Sequence, residues 1–480
     1  MKKLILSLAA LCLLSAGAFA QPKEIHIISA NDMHAKIENF PQLAAIVDSL
    51  RATYPELLIF SAGDNRTGEP LNDLYEIPAY PMVALMNQIG FDGTTLGNHE
   101  FDSGQKGLAK LISLSNFPYI CCNILPDEKW GIHTVPYKIF FVDELRIAVI
   151  GAVQVGPSGH PDTHPDNCKE ILFRPVEETV QEYQWLRDEC DVVILLTHIG
   201  YEEDVELSKS VPWVDLIIGG HSHTQLDGGE IHNDVMITQD LNRLQRVTHT
   251  ILTVEDGKVT GRRAENIEVT GHPGQNKIVA EMVRYFSDNP AFQRVLATLT
   301  APMTSYEQLG CMMTDAWRVE TGSDIAFTNT GGVRYDHLPA GPFTVSDVLR
   351  LDPFGNSLVQ LELTGQELKD MLIATHYADI SYGFPKVSGI ICNVTFDKKE
   401  PDTKIKDLKI TNPDGSKFDL KKTYKVITSS YVAAIANSPR KDQGRDINRT
   451  TSAVIQDYLE HQGTIDYTGA QRVFRSVSKK

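Results

Sequence analysis

Short apolar runs alternate with segments of helical periodicity in the amino-terminal half of the chain. The apolar runs predict buried strands at Glu24–Ala30, Leu57–Ala62, Leu145–Ala152, Val192–Thr197 and Val214–Gly219. Between them, the helical pattern is found at Gln42–Arg51, Pro81–Ile89, Gly107–Leu114 and Val176–Glu189. This alternation predicts an α/β layered domain, a sheet sandwich flanked by helices. Several of the strands end in polar clusters, where open α/β folds place their active sites.

A break at Gly271-His-Pro-Gly274, followed by the polar helical stretch Asn276–Asp288, separates this pattern from a second one. The later pattern predicts strands at Asp324–Thr328, Ser357–Leu363, Ile391–Phe396, Ile405–Ile410 and Tyr424–Ser430, and helices near Leu309–Glu320, Val345–Arg350 and Gln366–Thr375. The chain is also too long for one ordinary core. We therefore expect a first domain over residues 21–270, a linker helix over 271–295 and a smaller α/β domain over 296–480.

The first twenty residues have the pattern of an export signal. Lys2 and Lys3 precede the apolar run Leu4–Leu14, and Ala18-Phe19-Ala20 has the small residues that a signal peptidase recognises. The apolar run is too short to span a membrane. The pattern predicts a cleaved leader, a periplasmic or secreted protein and no membrane anchor.

The formal net charge of −17 limits the class of partner. Nucleic-acid polymers are held by clustered lysine and arginine, so an acidic surface argues against them. A small phosphorylated substrate is compatible with this charge, because buried metal ions dominate the local field. The cysteines show no C-x-x-C pair, and we expect most to be buried free thiols.

Five polar clusters in the first domain contain metal-binding residue types. They are Asn31-Asp32-Met33-His34, Gly63-Asp64, Gly97-Asn98-His99-Glu100-Phe101-Asp102, Thr197-His198 and Gly219-Gly220-His221-Ser222-His223. Each follows an apolar strand or a short strand-like run, so loops distant in sequence can converge at one edge of a sheet. Imidazole, carboxylate and amide oxygen suit zinc, manganese or iron, and the absence of thiolates argues against a purely structural zinc. The set predicts two divalent cations about 3.5–4 Å apart, clamping a phosphoryl group.

These clusters resemble those of the calcineurin-like metallophosphoesterases, and the whole chain resembles the secreted 5'-nucleotidase and UDP-sugar hydrolase family. The resemblance implies one metal held by Asp32, His34, Asp64 and His223, and a second held by Asp64, Asn98, His198 and His221. It implies that His99 acts on the leaving group or the transition state. Asp102, three residues later, is close enough to orient the ring. A supporting role for His99 without proton transfer is the alternative.

Two motifs of the second domain, Asn329-Thr-Gly-Gly-Val-Arg334 and Asp352-Pro-Phe-Gly-Asn356, match the same family. Glycines let a backbone approach a ligand closely, an arginine fork suits a phosphate, and an aromatic ring stacks on a nucleobase. The resemblance implies that the substrate is bound by Asn329, Gly331, Gly332, Arg334, Phe354, Asn356, Tyr431 and Asn437.

The second domain also departs from the family pattern. The segment Met303–Trp317 has no arginine where the family commonly supplies two, and Asn437 stands where the resemblance places a ribose-binding aspartate. The glycine-rich stretch that holds the ribose is missing as well. We expect these departures to leave the reaction class unchanged and to weaken selective nucleotide binding.

The sequence thus predicts an exported dinuclear-metal phosphoesterase that hydrolyses nucleoside 5'-monophosphates, with UDP-sugars as a further substrate class. Alternatives on the same scaffold are a 2',3'-cyclic nucleotide phosphodiesterase and a hydrolase of other phosphoesters or thiosulfate esters. A third alternative is a non-catalytic exported nucleotide-binding protein. The metal set and the His99–Asp102 pair count against the third, since a pure binder needs no general acid. The sequence gives no indication of the oligomeric state.

Overall fold

The computed structural model describes residues 22–335 and 337–478. The predicted export signal lies outside these residues. Within them, no helix has the length and apolar character needed to cross a bilayer. The six described cysteines are buried free thiols, as the sequence predicts for most of them.

Two sheets form the first part of the molecule. The first has the strand order β13-β12-β1-β2-β3 and the second has the order β10-β11-β9-β8-β6-β5. Their strands are β1 Lys23–Ala30, β2 Leu58–Ser61, β3 Gly93–Thr94, β5 Tyr137–Val142, β6 Leu145–Val153, β8 Val192–His198, β9 Leu216–Ile218, β10 Glu230–His232, β11 Val235–Thr238, β12 Arg246–Glu255 and β13 Lys258–Glu268. A separate ribbon pairs β4 Ile124–Pro126 with β7 Ile171–Phe173.

The two sheets face each other across an aliphatic core. Ile25 and Ile27 of β1 pack with Ile147 of β6 and Ile194 of β8 between the sheets. Ile28 points to the other side of its sheet, where it packs against helices. Alternation of side chains along a strand produces this division, and the predicted layered sandwich is confirmed.

Helices cover the outer faces of the sandwich. They are α1 Phe40–Thr53, α2 Pro70–Asp73, α3 Tyr80–Ile89, α4 Gly104–Leu114, α5 Val176–Gln181, α6 Leu186–Glu189 and α7 Tyr201–Ser208. The helix α8 Lys277–Ser287 lies in the predicted linker and packs against α1. The Asn276 side chain accepts hydrogen bonds from the backbone N–H groups of Ile278 and Val279, which fixes where α8 begins.

The second part of the molecule is also α/β. Its central sheet has the order β18-β15-β21-β17-β22, and two smaller sheets have the orders β16-β14-β23 and β20-β19-β24. The strands are β14 Val295–Leu299, β15 Ile325–Thr328, β16 Gly341–Thr344, β17 Ser357–Thr364, β18 Lys386–Ser388, β19 Ile391–Phe396, β20 Ile405–Thr411, β21 Thr423–Ser429, β22 Arg445–Thr450, β23 Thr464–Ile465 and β24 Val473–Val477. The helices are α9 Tyr306–Thr321, α10 Val345–Leu351, α11 Gly365–Ala378, α12 Ser430–Ile435 and α13 Thr451–Gln462.

Several features of the first part differ from the sequence prediction, which did not include strands β5, β10 and β11. The helix predicted over Val176–Glu189 is two short helices, α5 and α6, separated by a turn. The long antiparallel pair β12–β13 was not predicted. The reason is visible in β13, whose residues are half-buried or exposed and show no continuous apolar run. The domain boundaries at residues 270 and 295 stay a prediction.

Candidate active site

Parallel pairing brings the predicted metal-binding residues to one edge of the sandwich. Strands β1, β2 and β3 are mutually parallel in one sheet, and β6, β8 and β9 are parallel in the other. The seven residues lie at the carboxyl ends of these strands: Asp32 and His34 after β1, Asp64 after β2, Asn98 after β3, His198 at the end of β8, and His221 and His223 after β9. Distant segments thereby meet at one place.

The first group of side chains contains Asp32, His34 and His223. Their candidate ligand atoms lie within 4.8 Å of one another. Nε2 of His34 is 3.2 Å from Nε2 of His223, which is 3.3 Å from Oδ1 of Asp32. One small cation would contact all three.

The second group contains Asp64, His198 and His221, again within 4.8 Å. Asn98 belongs with them, because its Oδ1 is 3.3 Å from Nε2 of His198 and 3.0 Å from Nδ1 of His221. Oδ2 of Asp64 is 3.2 Å from Nε2 of His198. Asp64 also forms a group within 4.8 Å with His34 of the first set and with His99, so its carboxylate faces both sets of ligands.

The backbone at these residues is strained. Asp32, His34, Asp64 and His223 have φ values of 47°, 44°, 49° and 56°, in the left-handed region. Non-glycine residues enter this region at a cost of about 1–3 kcal/mol each, and such strain concentrates at functional sites. Gly97 contributes by its lack of a side chain, because a Cβ there would clash with the Asp64 carboxylate. The backbone of these loops therefore directs the four side chains toward the candidate metal positions.

Hydrogen bonds to the backbone orient two of the imidazoles. Nδ1 of His34 lies 2.9 Å from the carbonyl oxygen of Thr67, and Nδ1 of His198 lies 2.6 Å from that of Ala62. A carbonyl only accepts, so Nδ1 of each ring carries a proton, and the two Nε2 atoms face the groups. The Glu100 carboxylate accepts hydrogen bonds from the backbone N–H groups of Asp64, Asn65 and Gly97, which ties the loop after β2 to the loop after β3.

The charges of the groups suit a divalent cation. Burial opposes ionisation of Asp64, but the neighbouring His198 and His99 hold its pKa well below the usual range. Burial, reinforced by Arg334, lowers the pKa of His34, which keeps this imidazole neutral. Ionised carboxylates and neutral imidazoles are the donor set that zinc, manganese and iron accept, so the residues fit the predicted metals.

His99 and Asp102 form a fixed pair beside the groups. Nδ1 of His99 is 2.7 Å from Oδ2 of Asp102, and its Nε2 is 3.9 Å from Oδ2 of Asp64. Asp102 also accepts hydrogen bonds from the hydroxyls of Thr67, at 2.8 Å, and Thr163, at 2.9 Å. The carboxylate is therefore held from three directions, and the His99 ring presents Nε2 to the metal-binding side.

The second part of the molecule reaches into the same place. Arg334 Nη2 is 3.2 Å from Nε2 of His34, and its guanidinium lies 5.6 Å from the centre of the Phe354 ring. Phe354 stacks on His99, with ring centres 5.8 Å apart and planes 21° apart. A cavity lined by residues of both parts lies between them.

Seven of the eight residues predicted to bind substrate line this cavity, namely Asn329, Gly331, Gly332, Arg334, Phe354, Asn356 and Tyr431. Asn437 does not belong to the lining and is exposed to solvent. The structure thus separates Asn437 from the other candidate residues. Its position follows from α12, which carries the chain away from the cavity after Tyr431.

Sequence reasoning missed several residues of the cavity. Asp162 and Thr163 lie in a polar loop that follows β6, and Asp379 and Tyr382 lie just after α11. The first pair had a sequence signal, since polar residues after a buried strand identified the other clusters. The second pair had none, because they follow a helix and reach the cavity through the fold of the second part, where Asp379 meets Asn329 and Gly331.

Two family models match the chain. Residues 25–225 match the model of the calcineurin-like phosphoesterases, and residues 290–437 match that of the 5'-nucleotidase C-terminal domain. The trifunctional nucleotide phosphoesterase protein YfkN of Bacillus subtilis is 27% identical over 92% of this chain, which spans 34% of that protein's length. The 5'-nucleotidase of Vibrio cholerae is 27% identical over 92% of this chain and 91% of its own length.

A solved structure has the same fold. The crystal structure of the 5'-nucleotidase precursor from Thermus thermophilus superposes with a TM-score of 0.83 and 22% identity, covering 95% of this chain and 99% of the other. The order of the two matched segments is that of the domains predicted from the sequence. The chain therefore belongs to the family of metal-dependent phosphoesterases in which a calcineurin-like phosphoesterase domain is followed by a 5'-nucleotidase C-terminal domain.

Proposed function

We propose that the protein is a dinuclear-metal phosphoesterase that hydrolyses nucleoside 5'-monophosphates to nucleoside and phosphate. The observation that carries the proposal is the position of Asp64 between two groups of ligand side chains, beside the His99–Asp102 pair. Asn98 and His221 of the second group line a cavity that Phe354 and Tyr431 also line. A phosphate held at the groups would thus have its organic part directed at two aromatic residues.

The roles of the residues follow from their positions. Asp32, His34, Asp64 and His223 would hold one cation, and Asp64, Asn98, His198 and His221 the other. When bound, the cations supply positive charge that polarises the phosphoryl oxygens and acidifies a water molecule. Arg334, at 3.2 Å from His34, presents its guanidinium to a phosphate oxygen.

His99 lies where its ring would act on the leaving group or on the transition state. Its Nδ1 is bonded to Asp102, so the proton at Nε2 faces the reacting phosphate. Burial opposes protonation, but Asp102 and Asp64 raise the pKa of His99 above its usual value. The imidazolium either stabilises charge on the phosphoryl oxygens or protonates the departing alkoxide.

The proposal includes UDP-sugars as a second class of substrate. It also includes export of the protein to the periplasm or the medium. The motivation for export is the pattern of residues 1–20. Sequencing the amino terminus of protein expressed from the full chain tests it. A new terminus near residue 21 is expected, and an intact leader on the folded protein would contradict export by cleavage.

Phosphate release from AMP, with and without a chelator, tests the activity. We expect release that stops on chelation and returns when zinc, manganese or iron is added back. Parallel assays with 2',3'-cyclic AMP, a thiosulfate ester and UDP-glucose distinguish the alternative hydrolases. Binding of AMP without any turnover by the metal-loaded protein would instead identify a binding protein.

A further inference from the structure

The cavity beside the metal-binding groups is lined by carboxylates from both parts of the molecule. Asp162 comes from the loop after β6, and Asp379 and Asp352 come from the second part. Arg334 is the only arginine or lysine among the described residues of the lining, and it lies at the end next to His34. The lining thus contains these carboxylates beside neutral polar, aromatic and histidine side chains, although the proposed substrate is an anion.

Asp379 is fixed in place rather than free to turn into solvent. Its Oδ2 accepts hydrogen bonds from Nδ2 of Asn329, at 2.7 Å, and from the backbone N–H of Gly331, at 3.2 Å. A Cβ on Gly331 would press against this carboxylate and against Tyr382, so the loop is closely fitted around it. Its second oxygen, Oδ1, has no part in these two bonds.

Asp162, from the other domain, lines the same cavity, and its Oδ2 lies 3.8 Å from Nε2 of His221. Its backbone carbonyl accepts a hydrogen bond from Nδ2 of Asn98, at 3.1 Å, and its backbone N–H donates to Oε1 of Gln154, also at 3.1 Å. Burial raises the pKa of Asp379 to about 6, and the negative charge of Asp162 contributes to that rise. Two carboxylates that line the same cavity attract hydrogen-bond donors and repel anions.

Asp352 supplies an independent indication of a ligand. The residue is only 4% exposed and lines the same cavity, yet its Oδ2 has no hydrogen-bond partner among the described residues. A buried carboxylate oxygen without a partner is costly, so a donor is expected to meet it when the cavity is filled.

We propose that Asp162, Asp352 and Asp379 form a subsite for the hydroxyl groups of the leaving group and exclude leaving groups that carry a second anion. This inference rests on the proposed function, in which the hydroxyls are those of the ribose. An ionised carboxylate only accepts hydrogen bonds, which matches a sugar diol. Phosphate on that diol would place like charges together, and Arg334 is the only arginine or lysine among the described lining residues.

Three substrates test the subsite: AMP, 2',3'-dideoxyadenosine 5'-monophosphate and adenosine 3',5'-bisphosphate. They carry the diol, no diol, and an anion in place of one hydroxyl. For the wild-type protein we expect release of the 5'-phosphate with kcat/KM about 10-fold lower for the dideoxy compound than for AMP. For the bisphosphate, kcat/KM should be at least 100-fold lower than for AMP.

The Asp379→Asn variant keeps an oxygen that accepts from Asn329 and Gly331 but lacks the charge. In this variant, the ratio of kcat/KM for AMP to kcat/KM for the dideoxy compound should fall. The ratio of kcat/KM for the bisphosphate to kcat/KM for AMP should rise by at least 10-fold. Ratios between substrates are unaffected by partial unfolding. Asp162→Asn, assayed with its metal content measured, should shift the bisphosphate ratio in the same direction. Asp407→Asn, with an exposed carboxylate (68% of its side chain), is the matched control and should leave both ratios unchanged.

Equal kcat/KM for the three substrates in the wild type would overturn the inference, as would unchanged ratios in both variants. Either result leaves the proposed function intact, because AMP is still hydrolysed. No phosphate release from AMP by the metal-loaded wild type would instead contradict the proposed function itself.

Discussion

Arg350 of the second part forms an ion pair with Glu69 of the first, with Nε 2.7 Å from Oε2. Its Nη2 also lies 2.9 Å from Oε1 of Glu38. Glu69 is buried, with 2% of its side chain exposed, whereas Arg350 keeps 23% exposed. One arginine thus joins two carboxylates across the interface that borders the cavity.

Arg350→Met should lower the free energy of unfolding by about 2 kcal/mol or more. Removal of one partner of a buried ion pair costs about 3–5 kcal/mol because the other charge is left unpaired, and the exposure of Arg350 reduces this figure. Thermal or urea unfolding measures the change. Arg284→Met is the control, since its pair with Glu281 is on the surface with 73% of the arginine side chain exposed. There we expect about 0–1 kcal/mol.

Glu69 should make stability depend on pH. Burial, together with Glu38, raises its pKa from 4.5 to about 7. The folded protein therefore binds this proton more tightly than the unfolded chain does. The contribution of Glu69 to the free energy of unfolding is complete below about pH 4.5 and declines as the pH rises toward 7. Glu69→Gln should remove this decline. An identical pH profile in the variant would show that another group controls stability in this window.

His99→Ala should reduce kcat for AMP by about 10²–10⁴-fold, because general acid–base groups contribute that much. Metal content should stay at the wild-type level, since the ring is bonded to Asp102 rather than assigned to a metal. Steady-state kinetics and elemental analysis of one preparation measure both quantities. Activity near that of the wild type in a fully metallated variant would remove His99 from the mechanism.

Thr163→Val should impair the reaction through Asp102. The variant loses one of the two hydroxyl hydrogen bonds that hold this carboxylate. A hydrogen bond to a charged group contributes about 1.5–3 kcal/mol, so kcat should fall about 10-fold or more while KM changes little. Thr163→Ser restores the hydroxyl and should restore most of kcat. Failure of serine to rescue would mean that Thr163 acts through packing.

Asp64→Asn should lower the occupancy of both metal positions, because Asp64 faces both groups of ligands. His34→Ala and His198→Ala should each deplete one position first. Elemental analysis after dialysis against a weak chelator measures the metal content per chain. Retention of two ions by the Asp64→Asn variant would disprove the bridging role.

Tyr431→Ala and Phe354→Ala should raise KM for AMP more than KM for p-nitrophenyl phosphate, which has no nucleobase. Stacking contributes about 1–3 kcal/mol per base, which is about 5- to 150-fold in KM. Phe354 also stacks on His99, so its variant should lower kcat as well, whereas the Tyr431 variant should not. Equal damage to both substrates by the Tyr431 variant would indicate a role in folding.

Local pattern was sufficient for ten of the strands, among them β1, β2, β8 and β9, and for the candidate ligands. Asp32, Asp64 and His198 each stand at or just after a buried strand, and both the apolar run and the polar residue that ends it can be recognised within a few positions. Parallel pairing then gathers strand ends at one edge, so the convergence of these residues is a consequence of fold class. The helix break after Gln181 and the strand β13 had no such local signal.

The amino-acid sequence alone predicted the phosphoesterase class, because side chains suited to metal ions follow the strands in a pattern that resembles a known family. Only the tertiary structure decided the character of the substrate cavity. Asp379 follows a helix and Asp162 belongs to the other domain, and no spacing in the sequence relates them. Asn437 shows the reverse case, since the family resemblance implied a ligand contact and the residue, just after α12, is exposed to solvent. Contacts across two domains depend on how their surfaces pack, and that information is distributed over the whole chain.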